Sequence, residues 1–393
     1  MRQIETVSCL GQEFYSSYFP KLSSATLDVG HKYQAPCVAE IFSECNISRP
    51  MPEETYTYNA SFKGKVRDFY KSVNENYNVA PPSRLFLIER AIIWNNQIFV
   101  LMDNKATPLY ETYRSIDRDE KGLCLIERLA ACMKRELLTP NAEAHIFIGS
   151  AGSFNYGHWL IDDCPMLAGV DYLLKKFKSV DVLETKISDN MDRIKQEGID
   201  IFCSDPKRVS LSLLNCDTAY EVNNLYYLTP ATFHPYVKNP NAVEFLRSRT
   251  VKPGASQANK HKLFVNRNTQ FYRQIENVSA VQKCLADFGF LECCPDTLTV
   301  PAQIDMFLNS GCVVGITGAA MTNTLFCRSG TTNIYLSPDG WEEPFYWDLA
   351  FASHQKFVDM YHSTTDTNRY IYRRNFTVDI AALKSTITRH CDI

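Results

Sequence analysis

Three short stretches carry residue types that could do chemistry together. The first is Asn155-Tyr156-Gly157-His158-Trp159, followed by Asp162-Asp163 and Pro165. With His158 in the first turn of a helix, Asp162 lies four residues on, along the same face. The carboxylate could orient the imidazole and stabilise its charged form, or either group could take a proton from a hydroxyl. The same spacing also suits a hydrogen-bonded histidine beside a surface aspartate with no chemistry at all. Asp163 falls elsewhere around the helix, where solvent or a capping role is expected.

The second stretch is Gly315-Ile-Thr317-Gly318-Ala319-Ala-Met-Thr322-Asn323. It follows an apolar strand and opens a helix. Small residues let a ligand approach the backbone, and free N–H groups at a helix start favour phosphate. Neither a Walker loop nor a GxGxxG fingerprint is present, so a tight turn without a ligand is an equal reading. The third stretch, Phe264 to Arg273, puts Arg267 and Arg273 six residues apart just after a strand. Guanidinium groups grip phosphate oxygens in bidentate fashion, although an isolated pair is more often plain surface.

Two weaker signals are set aside. Asp117-Arg-Asp119 matches a metal-holding DxD pattern but sits in the charged run Arg114 to Lys121, which reads as a solvated loop. The eight histidines form no HxH or HExxH spacing, so no metal site is expected.

These stretches need elements to hold them. Arg84 to Thr112 reads as successive strands joined by turns at Asn95-Asn96 and Asp103-Asn104. Gly122 to Leu138 has apolar residues at helical spacing. A strand, His145 to Gly149, runs through a small-residue segment into an amphipathic helix, His158 to Phe177, the strand–loop–helix unit of an α/β protein. Val180 to Phe202 holds a further helix and strand. After residue 225 the alternation resumes, with strands at 225–228, 262–265, 290–293, 312–316 and 333–336. Helices are expected at 241–249, 279–288, 301–309 and from 321, with a last one over 378–388. Short, continuously apolar strands point to a buried parallel sheet. The first ~80 residues, rich in Tyr, Ser and Pro, read as short strands and loops on the edge of the first domain.

The chain has 393 residues, long enough for two domains. Hydrophobic residues are 45% and charged residues 22%, which excludes a disordered chain or a coiled-coil rod. Lys plus Arg is 41 against 44 for Asp plus Glu, a net charge of -3. That balance lacks the basic footprint of a nucleic-acid binder, so no nucleic-acid partner is expected. The N-terminus has no apolar signal-peptide core and no stretch reaches the length of a membrane span. A cytoplasmic location is the expectation, with peripheral association at the inner membrane left open. The 14 cysteines include no CxxC pair and read as buried free thiols in a reducing compartment. Sequons at Asn46, Asn59, Asn277 and Asn375 then read as chance matches.

The string His158-Trp159-x-x-Asp162-x-x-Pro165 resembles the HWxxDxxP signature of glycosyltransferase family 61. Further stretches agree in order. Phe264 to Asn268 resembles the family's strand-Ser-Arg-Arg segment and keeps Arg267. Gly289 through Gln303 is similar to its "GFExxxPExLSxxEQ" stretch, and Gly318 through Leu336 to its "GAxLTNxLFxxPGTxVIEL" segment. The resemblance spans roughly residues 84–355. It implies a GT-B architecture of two Rossmann-like domains facing a cleft. Residues 1–210 would form the acceptor and catalytic domain with an irregular N-terminal extension. Residues 211–375 would form the nucleotide-sugar domain, and a helix in 376–393 would pack back towards the N-terminal domain.

The resemblance also implies an activity. A sugar would pass, with inversion, from a nucleotide-sugar donor, most simply a UDP-sugar, to a hydroxyl of a glycan or glycoconjugate in surface polysaccharide biosynthesis. Asp162 or His158 would be the base. Arg267 and Arg273 would neutralise the leaving diphosphate, with Gly318, Ala319, Thr322 and Asn323 around its phosphates and no metal required. Asn155, Tyr156 and Trp159 would line the acceptor cleft. Two positions depart from the family pattern: Thr317 stands where His is usual, and Tyr335 where Glu is usual. Asp339, Glu342 or Glu343 could replace that acid, and a CMP-linked donor stays open. The rival readings are a non-catalytic glycan- or nucleotide-binding protein on a degenerate transferase scaffold, and a sugar-phosphate epimerase or phosphorylase-like protein.

Overall fold

The computed structural model describes residues 6–19, 29–103, 105–113, 134–139, 141–250, 261–267, 273–364 and 368–391. The fold is mixed α/β and divides into two compact units. Met1–Asn46 and Val79–Thr232 form the first, and Ile47–Asn78 and Phe233–Ile393 the second. No helix among the described residues is long and apolar enough to cross a membrane.

The first unit is built on one mixed sheet. Its strands lie in the order Val209–Leu214, Val180–Thr185, Ala144–Phe147, Thr218–Leu228, Ser83–Trp94, Gln97–Met102 and Lys105–Pro108. Lys134–Leu137 also pairs with the strand Thr218–Leu228, and Cys37–Phe42 with Ser83–Trp94. The half around Ala144–Phe147 is parallel, and the half beyond Ser83–Trp94 is antiparallel. A two-residue turn makes the hairpin of Ser83–Trp94 with Gln97–Met102: Asn95 and Asn96 both take positive φ, as a tight hairpin requires. The parallel half is buried on both faces. All four residues of Ala144–Phe147 and all six of Val180–Thr185 are buried, so their apolar side chains, Ile146, Phe147, Val182 and Leu183 among them, each contribute ~1.5–3 kcal/mol.

The second unit has a fully parallel sheet in the order Phe290–Cys293, His261–Val265, Ser310–Ile316, Thr332–Pro338, Lys356–His362 and Glu54–Thr57. One core joins Phe264, Val314, Ile334 and Val358 of this sheet to Val281 and Leu285 of the helix Val278–Asp287.

Five expectations need correction. The boundary at 210/211 falls inside the first sheet, because Val209–Leu214 pairs along its whole length with Val180–Thr185 and Thr218–Leu228 fills the sheet's centre. Residues 47–78 are not a loose edge of the first domain. They supply the parallel strand Glu54–Thr57 and the helix Ala60–Asn76, which buries Phe62, Val66, Tyr70 and Val73, to the second unit. The C-terminal helix Ile380–His390 packs on the second unit itself, where Leu383 and Ile387 meet the core beside Val281 and Leu285. Cys391, just past it, is joined to Cys312 in a disulfide, so the cysteines are not all free thiols. The expected helix at 122–138 ends instead in the strand Lys134–Leu137. Its remainder, with Asp117 and Asp119, lies outside the described residues.

Candidate active site

The first cluster grows out of the strand Ala144–Phe147. Past it, Ser150 and Ser153 close a turn: the Ser150 amide donates to Ser153 Oγ at 2.7 Å, and Ser153 Oγ donates to the Ser150 carbonyl at 2.9 Å. Asn155 then caps the helix, its side chain accepting from the Gly157 amide at 2.8 Å. After one α-helical turn, Tyr156–His158, the backbone widens into a π-helical turn, Trp159–Asp163, closed by the Cys164 amide on the Trp159 carbonyl. Such single wide turns recur at functional sites.

This turn sets the pair. His158 Nδ1 and Asp162 Oδ2 are 2.8 Å apart. The other carboxylate oxygen accepts from Thr232 Oγ1 at 2.6 Å. Asp162 is 4% exposed, whereas about a third of the His158 side chain is open. With an ionised, buried Asp162 as acceptor, Nδ1 carries the ring proton and Nε2 is the basic nitrogen. The imidazole is held from behind. A Cβ on Gly152 would come within 2.6 Å of the ring, so only glycine fits there. Thr232 has no signal in the sequence, being 70 residues from its partner.

Of the residues expected to line a cleft, Asn155 spends its side chain on the cap and Tyr156 is half-buried against Trp159, ring centroids 5.9 Å apart. Trp159 is itself buried at 1% exposure and packs on Gly198, where a Cβ would be 2.6 Å from the indole. Its place is in the core. Asp163 departs from expectation too: it is fully buried rather than solvated. The wide turn advances the chain by about one extra residue and rotates Asp163 inward.

The second cluster lies at the carboxyl ends of the parallel strands in the second unit, where ligands bind in open α/β sheets. Ser310–Ile316 leads through Thr317 and Gly318 into the 3₁₀ turns Ala319–Phe326. Arg267, two residues past His261–Val265, and Arg273 converge on Gly318. A Cβ there would be 3.7 Å from Arg267 Nη1 and 3.6 Å from Arg273 Nη2. Burial lowers the Arg267 pKa. Burial first, then the Arg267 charge, brings Arg273 down to about 10. Arg273 lies over the Trp341 ring at 4.5 Å, and its buried Nε has no hydrogen-bond partner among the described residues. Two guanidiniums pressed together out of water suit an anionic ligand.

Thr322 and Asn323 do not face that site with their side chains. Both are fully buried, Thr322 Oγ1 donating to the Ala319 carbonyl at 2.5 Å and Asn323 Nδ2 to Gln303 Oε1 at 2.7 Å. They shape the turn from inside. Beside it, Thr317, Ser337, Glu343 and Asp359 line a small pocket together with the aromatic rings of Tyr335, Trp341, Tyr346, Phe357 and Tyr361. Thr317 Oγ1 and Ser337 Oγ are 2.5 Å apart, and Tyr335 OH lies 3.1 Å from Thr324 Oγ1. Of the three acids that could replace the missing glutamate, Glu343 lines this pocket and accepts from the Trp341 indole at 2.8 Å. Trp341 and Tyr346 were not read from the sequence, although the aromatic run from Trp341 to Phe351 is visible there.

Residues 156–334 match the sequence profile of the family described as Glycosyltransferase 61. This stretch belongs to glycosyltransferase family 61. The family 61 domain contains both clusters, from His158 and Asp162 to Arg267, Arg273 and Gly318–Asn323. The match supports a glycosyltransferase. A search of curated proteins finds no match.

Among solved structures, one of the bacterial iron-containing dodecameric glycosyltransferase TibC from enterotoxigenic E. coli H10407 is similar at 10% identity and a TM-score of 0.27, covering 66% of this chain and 76% of that one. A second, of the dodecameric iron-containing heptosyltransferase TibC with ADP-D-β-D-heptose, gives 10%, 0.26, 65% and 75%. Likeness at that level carries no argument about the site.

Proposed function

We propose that this glycosyltransferase moves a sugar, with inversion, from a nucleotide-diphosphate sugar to a hydroxyl of a glycan or glycoconjugate, on a GT-B-type plan, in the building of a surface polysaccharide. His158 is the base and Asp162 orients it. Asp162 is the weaker candidate for the base because both its oxygens are already engaged, with His158 and with Thr232. In the transfer, His158 Nε2 takes the acceptor hydroxyl proton while that oxygen forms its bond to the anomeric carbon. The bond from that carbon to the donor phosphate breaks, and its electron pair leaves on the diphosphate. Imidazolium forms against a fixed carboxylate, and charge developing on the diphosphate is met by Arg267 and Arg273.

The observation that carries this reading is the hydrogen-bonded line His158–Asp162–Thr232, complemented by two buried guanidiniums that converge on Gly318. Two guanidiniums suit a diphosphate better than the single phosphate of a CMP-linked donor. They also supply the cationic charge that the leaving group needs, so the reaction is proposed to run without a divalent metal. UDP-sugars are the first donors to test, and Glu343 is the proposed acid of the nucleoside end.

The test is a panel of UDP-, GDP-, ADP-, dTDP- and CMP-sugars with mixed glycan acceptors, read by chromatography of released nucleotide in the presence of EDTA. One nucleoside diphosphate should be released in an acceptor-dependent way, and Arg267→Ala should abolish its binding. Release that requires Mn²⁺, or that survives Arg267→Ala unchanged, would contradict the reading.

A further inference from the structure

Asp163 is unexplained by the site as described. It stands between Asp162 and Pro165 of the signature string, at a position the signature does not specify, yet it is 0% exposed. Neither of its carboxyl oxygens has a hydrogen-bond partner among the described residues. A carboxylate stranded in this way is costly, and a native protein keeps such a group for a reason.

Its surroundings are specific. Ser150 and Ser153 lie close enough to favour its charge, but neither completes a hydrogen bond to it. Those serines close the turn whose middle residue, Gly152, backs the His158 ring. On the far side stands Glu184, buried on the strand Val180–Thr185 and 3.5 Å from Lys195 Nζ. Lys195 also donates to the Thr185 carbonyl. Among the described residues, Cys164, Cys203 and Asp192 are further titratable groups near this pair of acids. Burial pushes Asp163 up to about 7; Ser153, Ser150 and His158 pull it down, and the Asp162 charge adds to the rise. Burial pushes Glu184 up to about 8, against the pull of Lys195.

We infer that Asp163 is a positioning residue for the His158–Asp162 pair: its carboxyl braces the Ser150–Ser153 turn from beneath, and that turn, through Gly152, holds the imidazole in line with Asp162. At neutral pH the group is poised between acid and anion. As the acid it can donate to a serine oxygen. As the anion it puts a second negative charge beside Asp162, which raises the proton affinity of His158.

The inference has two readouts, and only the second rests on His158 being the base. First, the His158 ring is followed by two-dimensional NMR across pH 5–9 in the wild type and in Asp163→Asn. The wild-type ring should report two inflections, its own and one near pH 7 from Asp163, while Asp163→Asn should leave only its own. Second, the pH profile of kcat should lose the same inflection in Asp163→Asn, with the plateau within ~3-fold of wild type. Asp163→Ala, which removes the brace, should lower kcat by ~10- to ~100-fold with little change in KM. Thermal unfolding of both variants separates this from misfolding. Ring titrations and kcat profiles that superpose for wild type and Asp163→Asn would overturn the inference. A coupled ring titration in an enzyme whose kcat ignores His158→Ala would overturn the base assignment and leave Asp163 coupling intact.

Discussion

Replacing Asp162 with Asn tests the catalytic pair most sharply, because it keeps shape and removes charge. The substitution leaves an amide that can still bond both His158 and Thr232. What disappears is the negative charge 2.8 Å from the ring nitrogen. That charge matters once the ring has taken a proton. At an effective dielectric of ~20, two unit charges whose centres are ~4 Å apart attract by ~4 kcal/mol. A third of the His158 side chain is exposed, which reduces this to ~2–3 kcal/mol. The loss falls on the transition state alone, since the base starts neutral. Asp162→Asn should therefore lower kcat by ~30- to ~150-fold and leave KM within ~2-fold. Thr232→Val keeps the charge and removes one hydrogen bond, so ~1 kcal/mol and ~5-fold are expected. Steady-state kinetics of nucleotide release measures both. A kcat for Asp162→Asn within ~3-fold of wild type, or a loss confined to KM, would refute the argument.

Further outcomes follow from the same geometry. Arg273→Met should remove a buried cation from beside Arg267, raising the ligand-free Tm by ~2–6 °C while erasing the thermal shift that nucleoside diphosphates give the wild type. Gly152→Ala should push the imidazole off Asp162, with a kcat loss of ~10-fold or more and a smaller fall in Tm. Asp163 holds its proton to about pH 7 when folded and to its ordinary 3.8 when unfolded. Its contribution to stability is thus full below pH 4 and drains as pH rises to 7, so urea unfolding should show that slope in the wild type and a flatter one in Asp163→Asn. Reducing Cys312–Cys391, which spans 79 residues, should cost ~2–4 kcal/mol of unfolding free energy, read as a lower Tm with dithiothreitol.

Much of this site is legible in the sequence because it is local. The His158–Asp162 pair needs only helical spacing, and the turn at Gly318 shows itself by small residues after an apolar strand. Long-range partners leave no such trace. Thr232 meets Asp162 only because the strand Thr218–Leu228 lies beside Ala144–Phe147. Asp163 misleads because a helical wheel assumes 3.6 residues per turn, and the π-helical turn breaks that phase. Residues 47–78 mislead differently. Phe62, Val66, Tyr70 and Val73 follow a helical period, but nothing local says which sheet their segment will join. The cysteine reading failed for the same reason: Cys312 and Cys391 are brought together by the docking of a terminal helix.

The central claim is that His158 and Asp162 activate an acceptor hydroxyl for inverting transfer from a diphosphate donor. It is tested most directly by NMR of the anomeric signal during turnover, with wild type and His158→Ala side by side. An α-linked donor should give a β-linked product in the wild type and almost none in His158→Ala. An α-linked product, or an unimpaired His158→Ala enzyme, would contradict the account.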